Sequence, residues 1–172
     1  FRGLTYDYPN ASNSLGMASS PVVVNDVVVV QVESDAEAFA MGLNVRTGKT
    51  LWKIERPRKA NWTSPCGLKG KDGQSDLVLL QSSAGLSAVN PKTGEEVWNF
   101  DKGASTIPSS TVSNGTVFIP SNGLTVLKPG QDDGGFSIAW KEGRLSPSTP
   151  SPLIYNKRVF TVNRAGVIAA AD

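Results

Sequence analysis

The chain has 172 residues, 39% of them hydrophobic, a length and composition that support a folded domain with its own core. Its 17 basic and 15 acidic residues leave a net charge of +2, which points to neither a nucleic acid nor a membrane surface as partner. The absence of histidine excludes Ser-His-Asp and Cys-His catalysis and histidine-ligated metals. The single cysteine, Cys66, excludes an intrachain disulfide, and we interpret it as a small buried apolar residue. The apolar runs are all far shorter than the roughly 20 residues that span a bilayer.

The first predicted elements are two valine-rich strands at Val22–Val24 and Val27–Val32, joined by an Asn-Asp turn. A second hairpin is expected around the turn Val45–Gly48, and Trp52 lies on its outgoing strand. The segment Ser34–Ala40 is the one candidate helix. It is too short to stand as a helix, so we expect it to connect strands.

A second unit repeats this plan with a longer first turn. The loop Cys66–Ser75 precedes an apolar run at Asp76–Leu80. The strand Leu86–Asn90 then leads through the turn Pro91–Gly94 to a strand that carries Trp98. Glycine accepts the positive φ that closes such a turn, so we expect a bulged hairpin there.

The third unit contains Asn114-Gly115 between apolar runs, which is the strongest short hairpin signal. Its second hairpin keeps the strand Ile138–Trp140 but replaces the compact turn with Lys128–Ser137. That segment holds Asp132 and Asp133, whose carboxylates suit a calcium ion. The spacing lacks the calcium-loop pattern, so an ordinary turn is expected and no metal-binding residue is assigned.

The fourth unit has strands at Pro152–Tyr155 and Arg158–Val162 around an Asn-Lys turn. It stops at Asp172, before its second turn and tryptophan should appear. We interpret residues 1–18 as an N-terminal segment in which Gly3–Tyr8 could supply an outer strand to a neighbouring or closing blade.

Three markers repeat with one period. Ser20-Pro21, Ser64-Pro65, Ser109-Ser110 and Ser151-Pro152 open the units, with steps of 44, 45 and 42 residues. The tryptophans follow at steps of 46 and 42, and three units have an Asn-initiated turn four residues beyond the marker. Four strands in about 43 residues are typical of a β-propeller blade. We therefore predict an all-β propeller of four-stranded antiparallel blades, with repeats at 19–63, 64–108 and 109–150 and an incomplete one at 151–172.

The stretches Asn44–Trp52 and Ala88–Trp98 resemble the pyrroloquinoline-quinone-type propeller repeat. That family includes the quinoprotein alcohol dehydrogenases and the propeller lipoprotein of the bacterial outer-membrane barrel assembly machinery. The resemblance runs from about Ser19 to Asp172, although asparagine replaces the aspartate that precedes the turn in the family pattern. It implies half of an eight-bladed ring, with the remaining blades or a second copy as partner. A closed four-bladed ring is the alternative.

The resemblance also implies roles for the repeated residues. Trp52, Trp98 and Trp140 would dock neighbouring blades, stacking near Gly48 and Gly94, and a flat ring at a fixed place suits that role physically. The alternative is an aromatic platform for a ligand. Trp62 falls outside the period, on the connection between units, which makes it a candidate surface contact.

Two functions remain open from the sequence. The first is a non-enzymatic scaffold that binds protein or peptide, in envelope protein assembly, and the resemblance implies an extracytoplasmic (periplasmic or envelope) location. The second is a fragment of a quinoprotein-like dehydrogenase whose cofactor site lies outside this chain. One cysteine cannot form the adjacent-cysteine disulfide that accompanies the quinone in those enzymes. We therefore assign no catalytic or cofactor-binding residue and expect no cofactor.

Overall fold

The computed structural model describes residues 2–70, 73, 75–129 and 135–172. These residues form one short helix and fifteen β-strands, which lie in three four-stranded sheets and one three-stranded sheet. No helix in the described ranges has the length and apolar character needed to cross a membrane. Asp132 and Asp133, the candidate calcium ligands, lie outside the described residues.

Each sheet is one antiparallel meander. The first sheet contains β1 (Val22–Val24), β2 (Val27–Glu33), β3 (Ala38–Asn44) and β4 (Thr50–Glu55). The second contains β5 (Cys66–Leu68), β6 (Leu77–Ser82), β7 (Gly85–Val89) and β8 (Glu96–Phe100). The third contains β9 (Thr111–Ser113), β10 (Thr116–Pro120), β11 (Leu124–Pro129) and β12 (Phe136–Glu142). The fourth contains β13 (Leu153–Tyr155), β14 (Arg158–Val162) and β15 (Ile168–Ala171).

The first strands of the sheets lie side by side: β1 contacts β5, β5 contacts β9, and β9 contacts β13. The sheets are therefore blades arranged around a common axis, and within each blade the chain runs from the inner strand outward. The middle strands are the most buried and the outer strands the most exposed. The all-β propeller architecture predicted from the repeat is confirmed.

The first hairpin turns have the backbone that their sequences favour. Asn25 and Asp26 have φ of 50° and 63°, and Asn114 and Gly115 have φ of 49° and 75°. Two positive φ values match the right-handed twist of the flanking strands, and asparagine and glycine adopt them most easily. In the fourth blade the second turn residue is Lys157, with φ of 66°. A residue with a long side chain thus has its backbone in the left-handed region there.

Each pair of neighbouring blades encloses its own apolar core. Between the first and second blades, Val29, Ala40 and Trp52 pack against Val78 and Leu80. Similar clusters join the second blade to the third and the third to the fourth. The propeller is thus held together by successive blade-to-blade layers, as expected for repeats that cannot bury both faces alone.

The N-terminal segment differs from the strand expected at Gly3–Tyr8. Leu4–Asp7 form the helix α1, and residues 2–18 contain no strand. Leu4 and Tyr8 are four residues apart, so one helical turn places both on the same side. That side covers the first blade, where the Tyr8 ring lies 4.5 Å from the Phe39 ring. The segment therefore covers the first blade instead of completing the fourth.

Two further segments differ from their sequence-based predictions, because their backbone pairing was not evident from the sequence pattern. Cys66–Leu68 form the inner strand β5, since Cys66 pairs with Leu79, and are not part of the long loop. Ser34–Glu37 form a hairpin turn in which the Ser34 amide donates to the Glu37 carbonyl at 2.9 Å. The candidate helix at Ser34–Ala40 is therefore a turn followed by a strand.

Candidate ligand-binding face

The Ser-Pro markers form a row of hydrogen bonds from blade to blade. The Ser20 amide donates to Ser64 Oγ, the Ser64 amide to Ser109 Oγ, and the Ser109 amide to Ser151 Oγ, each at 2.9 Å. Each serine lies just before an inner strand. The hydroxyl of each accepting serine therefore satisfies the backbone amide of the marker serine in the preceding blade. This contact explains why serine recurs at the start of the second, third and fourth units.

Trp52 packs against both its own blade and the next. Its Nε1 donates to the carbonyl of Pro91 at 2.8 Å, and its ring covers Gly94. A Cβ at Gly94 would lie 2.7 Å from the indole carbons, and φ there is +76°. Gly42, opposite Trp52 on β3, is also covered by the indole. The turn glycine therefore provides both the conformation and the space for the ring.

The other repeated tryptophans have different surroundings. Trp98 is half-buried and stacks on Phe136, with ring centroids 4.5 Å apart and planes at 26°. Its Nε1 has no hydrogen-bond partner among the described residues. Trp140 is half-buried against the cluster between the third and fourth blades. No heavy atom of the described residues lies within 4 Å of the Cβ position of Gly48, and Arg2 donates to its carbonyl at 3.0 Å, so none of the tryptophans, all of which are described, stacks on it.

One end of the propeller carries the connections between blades, at residues 56–65, 101–110 and 143–152. We call this end the connection face. Trp62 lies here, half-buried, with its amide donating to Thr106 at 2.8 Å and its Nε1 donating to Gly16 at 3.0 Å. Its backbone is thus fixed to the next connection and its indole to the N-terminal segment, and part of the ring remains accessible.

A buried ion pair closes the connection face between the first and second blades. Arg56 Nε lies 2.8 Å from Glu33 Oε1, and these side chains are only 7% and 1% exposed. The guanidinium also donates to the Leu80 carbonyl at 3.1 Å and to Ser87 Oγ at 3.2 Å, both on the second blade. Burial raises the pKa of Glu33, while the charge and hydrogen bond of Arg56 oppose that rise.

Amide side chains continue the network toward the third blade. Asn61 Nδ2 donates to Glu33 Oε2 and to the Gln81 carbonyl, both at 2.7 Å. Gln81 Nε2 in turn donates to the carbonyls of Ser105 and Pro108, at 2.6 and 2.9 Å. These bonds fix the first two connections to the blades beneath them. The sequence analysis missed this network, since its members are separated by 20 residues or more.

An open cleft lies on the same face between the second and third blades. It has a volume of about 450 Å³. Its lining consists of Ser83, Lys102, Gly103, Ala104, Ser105, Pro120, Ser121, Asn122, Gly123, Ser146 and Pro147. Small residues, most of them polar, dominate, and Lys102 is the one charged residue among these described lining residues. Such a surface suits a ligand that hydrogen-bonds through its main chain.

The described residues do not fit a quinone and calcium site. They contain no group of three or more histidine, cysteine, aspartate or glutamate side chains that could hold a metal ion. The 450 Å³ cleft presents no carboxylate from its described lining, whereas calcium takes mainly oxygen ligands from acidic groups. Burial raises the pKa of Cys66 to about 12, so its thiol stays protonated and inert at neutral pH.

Comparison with protein families gave a match to outer membrane protein assembly factor BamB, over residues 9–100 and again over 82–172. The two matches together span nearly the whole chain. The chain belongs to the BamB family. Comparison with curated proteins gave no significant match.

Solved structures share the propeller of this BamB-family chain at low sequence identity. BamB from Moraxella catarrhalis is 18% identical with a TM-score of 0.64, covering 90% of this chain and 48% of that one. The computationally designed Ika4 protein is 16% identical with a TM-score of 0.63, covering 94% and 96%. A quinohemoprotein alcohol dehydrogenase from Pseudomonas putida HK5 is 16% identical with a TM-score of 0.53, covering 84% and 28%. The chain thus spans about half the length of the Moraxella protein.

Proposed function

We propose that this chain is a non-enzymatic propeller scaffold that binds polypeptide on its connection face, in the assembly of envelope proteins outside the cytoplasm. The observation that carries this proposal is the open cleft between the second and third blades, which is lined mainly by small polar residues. The family match supports it, because the family is described as an outer membrane protein assembly factor. In this proposal Trp62, on the same face, is a surface contact for the ligand.

The apolar surface of the fourth blade supports a further partner. Leu153, Tyr155 and Ile168 are 62%, 65% and 70% exposed, whereas the next blade covers the equivalent layer in each of the first three. An uncovered apolar sheet face of this kind marks an interface. In our proposal it is covered by a second copy of the chain or by further blades of the same propeller.

Peptide arrays test the scaffold proposal directly. Overlapping 15-residue peptides tiled from outer-membrane proteins are screened against the chain, and binding is measured by fluorescence anisotropy. Ser146 is an exposed residue of the cleft, so Ser146→Trp should fill the cleft and abolish binding. Thr149→Trp is the matched control, because Thr149 is exposed on the same connection but does not line the cleft.

The proposal predicts that some peptides bind the wild type and Thr149→Trp equally and fail to bind Ser146→Trp. If no peptide binds, or if both variants bind as the wild type does, polypeptide binding in this cleft is wrong. The quinoprotein alternative places the cofactor site outside this chain, so it is tested on the full-length protein by adding pyrroloquinoline quinone with calcium. Saturable quinone absorbance with alcohol-dependent dye reduction would favour that alternative.

A further inference from the structure

The first and second blades carry corresponding residues at the same sequence spacing along the connection face. Arg56 stands four residues after Trp52, and Lys102 stands four residues after Trp98. Gln31 and Gln81 occupy matching places in their blades. In the first blade Trp52 pairs with Gly42, and Gln31 pairs with Ala40, two residues earlier. In the second blade Trp98 pairs with Ala88, and Gln81 pairs with Leu86, again two residues earlier. Two residues beyond these glutamines the first blade has Glu33, whereas the second has Ser83. The second blade therefore keeps the cation and lacks the carboxylate.

Loss of that carboxylate changes what the cation does. In the first blade, Glu33 pairs with Arg56 in a buried site, and the guanidinium donates hydrogen bonds to the second blade. In the second blade, Lys102 is 63% exposed at the edge of the 450 Å³ cleft, with Ser83 lining the same cleft. The cation at the edge of the open cleft is thus the counterpart of one that is held in an internal ion pair one blade earlier.

Lys102 is not committed to an internal partner. Its Nζ lies 3.1 Å from Asp101 Oδ1, but the Asp101 side chain is 74% exposed and does not line the cleft. Lys102 lowers the pKa of Asp101 through its hydrogen bond and its charge. Exposed pairs of this kind hold their geometry weakly, so the ammonium group can turn toward a ligand in the cleft. A lysine on a flexible stem suits such a change of partner.

We propose that the cleft between the second and third blades binds a carboxylate group of a polypeptide ligand, which takes the place that Glu33 has in the first blade. Lys102 supplies the positive charge, and Ser83 and Asn122 line the cleft beside it. The carboxylate comes from an aspartate or glutamate side chain or from a chain terminus. This inference rests on the proposed function, because it names the chemistry of the peptide that the face binds.

Titration of the isotope-labelled chain by NMR with short peptides tests the inference. The probes are acetyl-Gly-Glu-Gly-amide, its glutamine counterpart acetyl-Gly-Gln-Gly-amide, and acetyl-Gly-Gln-Gly with a free carboxyl terminus. We expect at least one carboxylate peptide to shift the amides of Gly103, Ser105 and Gly123 with at least tenfold tighter binding than the uncharged peptide. The two carboxylate peptides distinguish a side chain from a terminus.

Variants separate the charge from the fold. Ser83→Glu supplies an internal carboxylate beside Lys102 and should abolish binding of the carboxylate peptides, as should Lys102→Ala. Lys141→Ala, which removes an exposed lysine of β12 outside the cleft, should bind as the wild type does. Asp101→Asn should tighten binding, because it removes the competing carboxylate.

The outcomes are distinct. Equal binding of the charged and uncharged peptides in the cleft, unaffected by Lys102→Ala, overturns the carboxylate inference and leaves polypeptide binding intact. Carboxylate binding that persists in a folded Ser83→Glu variant also overturns it. No shift from any peptide, together with no hit on the peptide array, overturns both the inference and the proposed function.

Discussion

Trp52 Nε1 donates a hydrogen bond to the carbonyl oxygen of Pro91 at 2.8 Å, which joins the first blade to the turn of the second. Trp98 has the equivalent place one blade later, but its Nε1 has no partner among the described residues. The same substitution at the two tryptophans therefore compares a site that has the interblade hydrogen bond with one to which the described residues give no such bond.

We expect Trp52→Phe to lower the free energy of unfolding by about 2 kcal/mol, because the Pro91 carbonyl loses its donor and the smaller ring leaves space over Gly94. Trp98→Phe should cost about 1 kcal/mol or less, since only ring volume changes. Urea unfolding of both variants provides the measurement. Equal losses would show that the hydrogen bond does not contribute to docking.

The buried ion pair gives a second prediction. Arg56→Met leaves the Glu33 carboxylate buried without its cation and should destabilise the fold by about 3 to 5 kcal/mol. The double variant Glu33→Gln, Arg56→Met keeps an acceptor for Asn61 and removes the unpaired charge, so it should recover at least half of the loss. Thermal unfolding measures both, and a double variant no more stable than Arg56→Met would contradict this account.

Arg144→Met is the matched control for Arg56→Met. Arg144 also stands four residues after a tryptophan, but it is 93% exposed and pairs with Glu142 at the surface. Exposed pairs contribute between about 0 and 1 kcal/mol, so we expect a change within about 0.5 kcal/mol.

Lys157 offers a stabilising substitution. Its φ of 66° lies in the left-handed region, which costs a residue with a side chain about 1 to 2 kcal/mol. Lys157→Gly removes that cost but adds conformational entropy to the unfolded chain, so we expect a net gain of about 0.5 to 1 kcal/mol. Lys157→Ala keeps the strain and should show no gain. Calorimetric melting of the two variants distinguishes the backbone effect from loss of the lysine charge.

The exposed apolar face of the fourth blade leads us to expect self-association of the 172-residue chain. We expect sedimentation to show a dimer at micromolar concentration, because Leu153, Tyr155 and Ile168 form an uncovered apolar face. Leu153→Glu with Ile168→Lys should give a folded monomer. Val97→Glu, at an exposed apolar position on the outer strand β8, should leave the dimer intact. A wild type that is monomeric at all concentrations would contradict the prediction.

The fold was predictable from local chemistry. Asn114-Gly115 and its equivalents specify turns by their own backbone preferences, and the valine-rich runs beside them specify strands. The period then indicated the blades. The strand expected at Gly3–Tyr8 was wrong because it was inferred from the need to close a ring. The spacing of Leu4 and Tyr8, which favours a helical turn, was the local signal.

The candidate site was largely hidden from the sequence. Glu33, Arg56 and Gln81 are brought together by the packing of two blades, and no short motif links them. One signal was present: a basic residue stands four positions after each of three tryptophans, at Arg56, Lys102 and Arg144. Its meaning depends on whether a carboxylate lies opposite, and only the structure shows which residue that is.

The N-terminal segment has a consequence for how copies of this chain can join. Residues including Leu4, Tyr8 and Ala11 shield one end of the row of blades, so exposed apolar sheet surface concentrates at the other end. Two copies that join through their fourth blades use the same surface twice, and each then has no comparable surface left. A row with both ends bare could add copies without limit and form fibres. If two fourth blades pair in this way, the shielded end offers no comparable surface to a third copy, so we expect the association to stop at two.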